Sequence, residues 1–177
     1  MADSNFIVPF ILKAEGGYVN DKNDSGGETM KGVTYTVWKV FFGDTHDRFM
    51  KMAQEDWSLI FKTNYWNKIL GDQINSNKIA SAIVDWVYNS GTFYPEKNIE
   101  EIMNTAFGQH LTVDGVFGPK VIASLNTGDQ DTEFQAIIDR HRKFINDLVV
   151  AKPSQIIYQK GWLNRLQNLV SFVNGTN

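Results

Sequence analysis

Apolar positions recur with a helical period over most of the chain. Phe134, Ile137, Ile138, His141, Ile145, Leu148 and Val149 fall on one face of a single helix. Trp162, Leu166, Leu169, Val170 and Val173 repeat the pattern near the C-terminus. Trp57, Ile60, Phe61 and Tyr65 do so earlier, with Ile69 extending the face. Ile79, Ile83, Val84 and Val87 mark a helix that should stop before Asn89-Ser90-Gly91. Residues 98–107 and 119–126 read as shorter helices, the second opening on Pro119. No long alternating strand and no internal repeat is present, so the class is mainly α.

One stretch departs from this pattern. Residues 16–32 hold five glycines among several Asn and Asp residues. These side chains supply positive φ and local side-chain-to-backbone bonds, which predicts a short irregular hairpin or loop over 16–34. A loop this long inside a small domain is more often functional than passive. A seam is expected near Pro95, dividing residues 1–94 from 95–177, with the two halves packed into one unit.

Composition narrows the function. The 177 residues are 42% hydrophobic and 13% aromatic, enough for a real core and incompatible with disorder. Formal charge is −3, with nine basic and eleven acidic residues before Pro95 and eight and nine after it. Neither half is a basic block, which argues against nucleic acid as a partner. No cysteine is present, so there is no disulfide, thiolate nucleophile or cysteine-held zinc. His46, His110 and His141 form no ligand spacing, and His141 reads as a satisfied core histidine. The N-terminal apolar run is short, follows an acidic residue and is broken by Pro9. It does not read as an export signal, and no stretch is long enough to span a membrane.

Glu15 stands out chemically. Pro9 suits a first helical turn, so a helix opening near it would end at about Glu15, with Gly16 and Gly17 supplying a left-handed stop. The negative end of the helix dipole, and desolvation by Tyr18, would then favour the protonated acid. Such a group suits general-acid cleavage of a glycosidic bond. Asp21 and Asp24 follow on the loop as candidates for the second carboxylate that glycosidases use, although both also suit Asx turns. Asp21, Asn23, Ser25 and Gly26 half-match a calcium loop, but position twelve is Gly32 where a bidentate Glu is required. No metal or organic cofactor is expected. Asp85 and Asn89 share a helix face, either lining a sugar groove or pairing with a base and closing the helix end. Tyr18 and Tyr88 could stack on pyranose rings or fill a core, and the five Trp default to core.

Glu-Gly-Gly-Tyr at 15–18, Asn-Asp-Ser-Gly-Gly-Glu-Thr at 23–29 and Lys-Gly-Val-Thr at 31–34 resemble the N-terminal signature of glycoside hydrolase family 108. Its members are lysozyme-like N-acetylmuramidases, also described as secretion activator proteins. Asp85 to Gly91 resembles the end of the family's first half. Val-Asp-Gly-Val-Phe-Gly-Pro at 113–119 is similar to the turn of its predicted peptidoglycan-binding half, and Gly161 to Arg165 resembles the closing helix.

The resemblance implies a lysozyme-like helical fold, peptidoglycan glycan strands as partner and Glu15 as catalytic acid. In phage-type lysozymes a Glu is followed by an Asp nine residues on and a Thr six beyond. Glu15 and Asp24 keep the first spacing; position 30 is Met, with Thr29 one residue early and Thr34 four late. The spacing leaves the third member of the triad open; Thr34, in the Gly-Val-Thr stretch, is the candidate to occupy the corresponding place in space. Tyr18, Asp21, Thr29, Tyr88 and Asn89 are candidate substrate contacts. The expected activity is hydrolysis of the β-1,4 bond between N-acetylmuramic acid and N-acetylglucosamine; the alternative is a non-catalytic wall-binding or secretion-accessory protein. A monomer is expected, made in the cytoplasm and acting on the cell wall after release or non-classical export.

Overall fold

Asp3 caps the first helix, α1 (Ser4–Ala14), accepting the Asn5 N–H at 2.9 Å. The helix therefore starts five residues before Pro9 rather than at it. Pro9 removes one internal hydrogen bond but lies on the exposed face, where water can reach the freed carbonyl. The opposite face buries Ile7, Val8, Phe10 and Ile11. The computed structural model describes residues 1–20 and 27–175. It divides into two compact units, Ile7–Asn64, and Met1–Phe6 with the chain from Tyr65 onward.

In the Ile7–Asn64 unit, β1 (Tyr18–Val19), β2 (Thr29–Met30) and β3 (Val33–Thr34) form an antiparallel sheet in the order β1-β2-β3. Helices α2 (Tyr35–Phe42), α3 (His46–Met50) and α4 (Gln54–Phe61) follow. The β2–β3 connection is the two-residue turn Lys31–Gly32, with φ of 48° and 76°. Positive φ at both centres is the type I′ geometry that matches strand twist. Lys31 holds this unfavourable conformation through three contacts. Its N–H donates to the Gly17 carbonyl at 3.3 Å, its Nζ to the Met52 carbonyl at 2.8 Å, and its own carbonyl accepts the Trp57 indole at 2.9 Å. Trp38, Phe49, Trp57 and Phe61 form the aromatic core of this unit.

The helix expected over 57–69 is shorter than its apolar stripe. α4 ends at Phe61 and passes into a π-helical turn, Lys62–Trp66, which widens the spiral. Trp66 is fully buried, and its indole donates to Asp72 Oδ1 at 2.7 Å. Gly71 lies so close that a Cβ would come within 2.4 Å of that ring. Gly71→Ala is expected to cost about 1–3 kcal/mol by overpacking, seen as a lowered calorimetric midpoint. An unchanged midpoint would mean the indole yields freely.

The larger unit is helical: α5 (Asn77–Ser90), α6 (Phe93–Phe107), α7 (Pro119–Leu125), α8 (Gln130–Ala151) and α9 (Ile156–Val173). Ser76 caps α5 and Gly91 ends it with φ of 73°, while Pro119 opens α7 as its composition predicts. α5 is buried on every side from Ile79 to Val87, with α6, α8 and α9 packed around it. No helix among the described residues is long and apolar enough to cross a membrane.

This unit buries three glutamates that hydrophobic patterning does not reveal. Glu100, wholly buried on α6, accepts the Gly115 and Val116 N–H groups at 2.9 and 3.3 Å, latching the 113–119 turn. Glu96 lies one turn earlier; burial pushes it up to about 7, with the charge of Glu100 adding and Lys68 opposing. Burial also pushes Glu133, at the start of α8, up to about 7. A carboxyl raised in the folded state contributes stability that is complete below its unfolded pKa and lost as pH rises through the folded one. The stability advantage of wild type over Glu133→Gln should therefore shrink by about 2 kcal/mol between pH 5 and 8, measured by urea unfolding. A constant difference would show that Glu133 keeps its ordinary pKa.

Candidate active site

Glu15 is the first residue past α1, and its N–H still donates to the Ile11 carbonyl at 3.0 Å, so the helical turn runs through it. It is half-buried. The glycine stop expected after it takes another form: neither Gly16 nor Gly17 has φ in the left-handed region. The chain leaves the helix directly into β1, and the Lys31 N–H to Gly17 carbonyl bond ties that exit to the hairpin.

Register decides which candidates share a face. Val19 pairs with Thr29 and Thr29 with Thr34, whereas Tyr18 pairs with Met30 and Met30 with Val33. Directly opposed residues in an antiparallel sheet point the same way. Met30 and Val33 are buried, so theirs is the core face; Val19, Thr29 and Thr34 occupy the outer one. Thr29 and Thr34 are thus brought side by side, and Tyr18, 41% exposed on β1, belongs to the other face. Thr34 also caps α2, its Oγ1 accepting the Val37 N–H at 3.2 Å. That leaves the hydroxyl proton able to donate. Asp21 and Asp24 lie outside the described residues, as do Asn23, Ser25 and Gly26 of the half-matched calcium loop. Its twelfth position, Gly32, serves the hairpin turn. Among the described residues, no group of three or more His, Asp or Glu is placed to hold a metal ion.

Sequence reasoning missed a polar cluster where β1 and β2 end. Asn20 and Glu28 continue the register, with Asn20 Nδ2 3.4 Å from Glu28 Oε1 and 3.2 Å from the Tyr18 hydroxyl. Glu28 Oε2 lies 2.6 Å from His46 Nε2. Beside them the Tyr35 hydroxyl donates to Asp44, which pushes the phenol up to about 12. Nothing in the spacing of residues 20, 28, 35, 44 and 46 signals this association.

In the larger unit, Asp85 is 1% exposed and paired with Arg165, whose Nη2 and Nε donate to Oδ1 at 2.8 and 3.1 Å. Burial pushes the Asp85 carboxyl up, against the opposing charge and hydrogen bonds of Arg165. Asn89 folds back so that Nδ2 donates to the Asp85 carbonyl at 2.6 Å, the helix-closing arrangement. The Tyr88 ring lies 4.8 Å from that of Tyr65. His141 is buried as expected but not satisfied. Its ring stacks on Trp86 at 4.3 Å, its Nδ1 has no partner, and burial holds it down at about 3. Four of the five Trp are fully buried, while Trp162 is half-exposed.

Known proteins resemble this chain in sequence and in fold. Residues 8–91 match the family described as glycosyl hydrolase 108, and residues 95–167 match a predicted peptidoglycan domain. No curated protein gives a significant match. Among solved structures, SagA from Brucella abortus shares the fold with a TM-score of 0.74 at 23% identity, over 99% of this chain and 97% of that one. The two matches fall where the motifs do: residues 8–91 are similar to glycosyl hydrolase 108, and residues 95–167 to a predicted peptidoglycan domain.

Proposed function

We propose that the protein is a muramidase that hydrolyses the β-1,4 bond between N-acetylmuramic acid and N-acetylglucosamine, with Glu15 as general acid. The observation that carries this reading is the position of Glu15 at the last turn of α1, directly before the hairpin, within the glycosyl hydrolase 108 match. A carboxylic acid there protonates the leaving oxygen while charge develops on the sugar ring. Asp24 or Asp21 supplies the second carboxylate, positioning a water or stabilising the oxocarbenium-like state. Thr34, beside Thr29 on the outer face of the sheet, offers a hydroxyl to that water or to the sugar. The chemistry rests on carboxylates, with a hydroxyl assisting, and needs no metal.

Purified peptidoglycan tests this directly. The expected result is falling turbidity with release of new reducing ends on N-acetylmuramic acid. Sedimentation with walls but no new reducing ends would replace this reading with the binding or secretion-accessory one.

A further inference from the structure

The carboxyl end of α5, with α8 and α9, forms an open cleft of about 100 Å³ built wholly from residues after Tyr65. Phe144 and Leu148 from α8 and Trp162 from α9 line it and remain half-exposed, leaving apolar surface turned to water. Asn89 sits exposed at one end. Its Nδ2 is committed to Asp85, which leaves Oδ1 to accept a hydrogen bond. His141 lines the cleft and brings a buried Nδ1 with no partner, an arrangement that is costly unless something completes it.

Charge selects the occupant. Asp85 and Arg165 both border the cleft but neutralise each other through two hydrogen bonds, and His141 is uncharged at physiological pH. An anionic ligand, such as the carboxylates of a wall peptide or a phosphate, would have to break that buried pair. A neutral ligand with an amide N–H, a methyl group and a C–H-rich face meets an acceptor, apolar walls and an indole without disturbing it. The cleft residues of α8 and α9 all fall within the predicted peptidoglycan domain.

We propose that this cleft binds the 2-acetamido sugars of the glycan strand. Trp162 is the stacking platform, Asn89 accepts the acetamido N–H, and Phe144 and Leu148 receive the methyl. The inference rests on the peptidoglycan-directed reading of the chain but not on catalysis by Glu15.

The test is a ¹H–¹⁵N titration of the full chain carrying Glu15→Gln, so that the probe is not cleaved. The probe is the β-1,4-linked trimer of N-acetylglucosamine. Shifts are expected at the Trp162 indole and the Asn89 side-chain amide, and the de-N-acetylated trimer should bind at least tenfold more weakly. Trp162→Ala and Asn89→Leu should each weaken the acetylated trimer tenfold or more, with Trp162→Phe retaining most affinity. Asn89 is exposed at a helix end, so its variant keeps the test decisive even where Trp162→Ala does not fold. Equal binding of both trimers, shifts that avoid these two residues, or a wall peptide that shifts them instead would each overturn the proposal. Reducing-end release by the unsubstituted protein is a separate measurement. Failure of the muramidase reading would leave these shifts in place, and failure of the cleft would leave hydrolysis in place.

Discussion

Glu15→Gln should lower reducing-end release from purified peptidoglycan by about 10²–10⁴-fold, the usual range for losing a positioned proton donor. The substitution keeps the size of the side chain and replaces the ionisable carboxyl by an amide that cannot transfer a proton. The Glu15 backbone bond to Ile11 is untouched, so the helical turn that carries the side chain should be kept. Sedimentation with walls should also survive, because binding and proton donation are different tasks. Parallel Asp21→Asn and Asp24→Asn variants identify the second carboxylate as the one whose loss approaches that of Glu15→Gln. Near-wild-type release by Glu15→Gln would remove Glu15 from the chemistry.

The largest stability effect should come from Arg165→Leu. The change leaves Asp85 in the centre of α5 without its opposing charge, and stranding one member of a buried pair costs about 3–5 kcal/mol. The deficit should depend on pH in a defined direction. Burial raises the folded-state pKa of Asp85, and removing Arg165 takes away the charge and hydrogen bonds that chiefly oppose that rise, leaving only the Asn89 side chain against it. The protonated acid is then the form the fold tolerates. The deficit should be smallest below roughly pH 4, the ordinary carboxylate range, and grow as pH rises. Adding Asp85→Leu should recover much of the loss, since an apolar pair of similar volume often replaces a buried ion pair without penalty. Urea unfolding of the single and double variants at several pH values measures all of this. A single variant as stable as wild type at pH 7 would show that the pair contributes nothing.

The residues that announced themselves in sequence were those whose partners are local. α5, α8 and α9 were legible because Ile79–Val87, Phe134–Val149 and Trp162–Val173 repeat apolar residues at helical spacing, with Gly91 marking the stop of α5 and Pro119 the start of α7. α2 was not. Its sequence, Tyr-Thr-Val-Trp-Lys-Val-Phe-Phe, is apolar almost throughout, yet Trp38 alone is buried and Val40 is 81% exposed. Its Thr34 cap and the Gly43 that ends it were the available signals. In the site, the Glu15 position and the hairpin were readable, whereas the pairing of Thr29 with Thr34 was not. That register depends on Lys31 accepting positive φ, which Trp57 helps hold from 26 residues away. Asp85 and Arg165 are 80 residues apart, beyond the reach of any spacing argument.

The all-round burial of α5 makes it ill suited to modular exchange. Its sequence belongs to the glycosyl hydrolase match, which ends at residue 91, while the helices that cover it begin at Phe93. A cut between the two matched segments would leave a nine-residue, mostly apolar buried stretch without its cover, so residues 1–91 expressed alone would carry an aggregating surface. Grafting a different second segment would have to reproduce the seats for Trp86 and Asp85 as well as any affinity for the wall. Lineages of such proteins should therefore inherit the two segments as a pair.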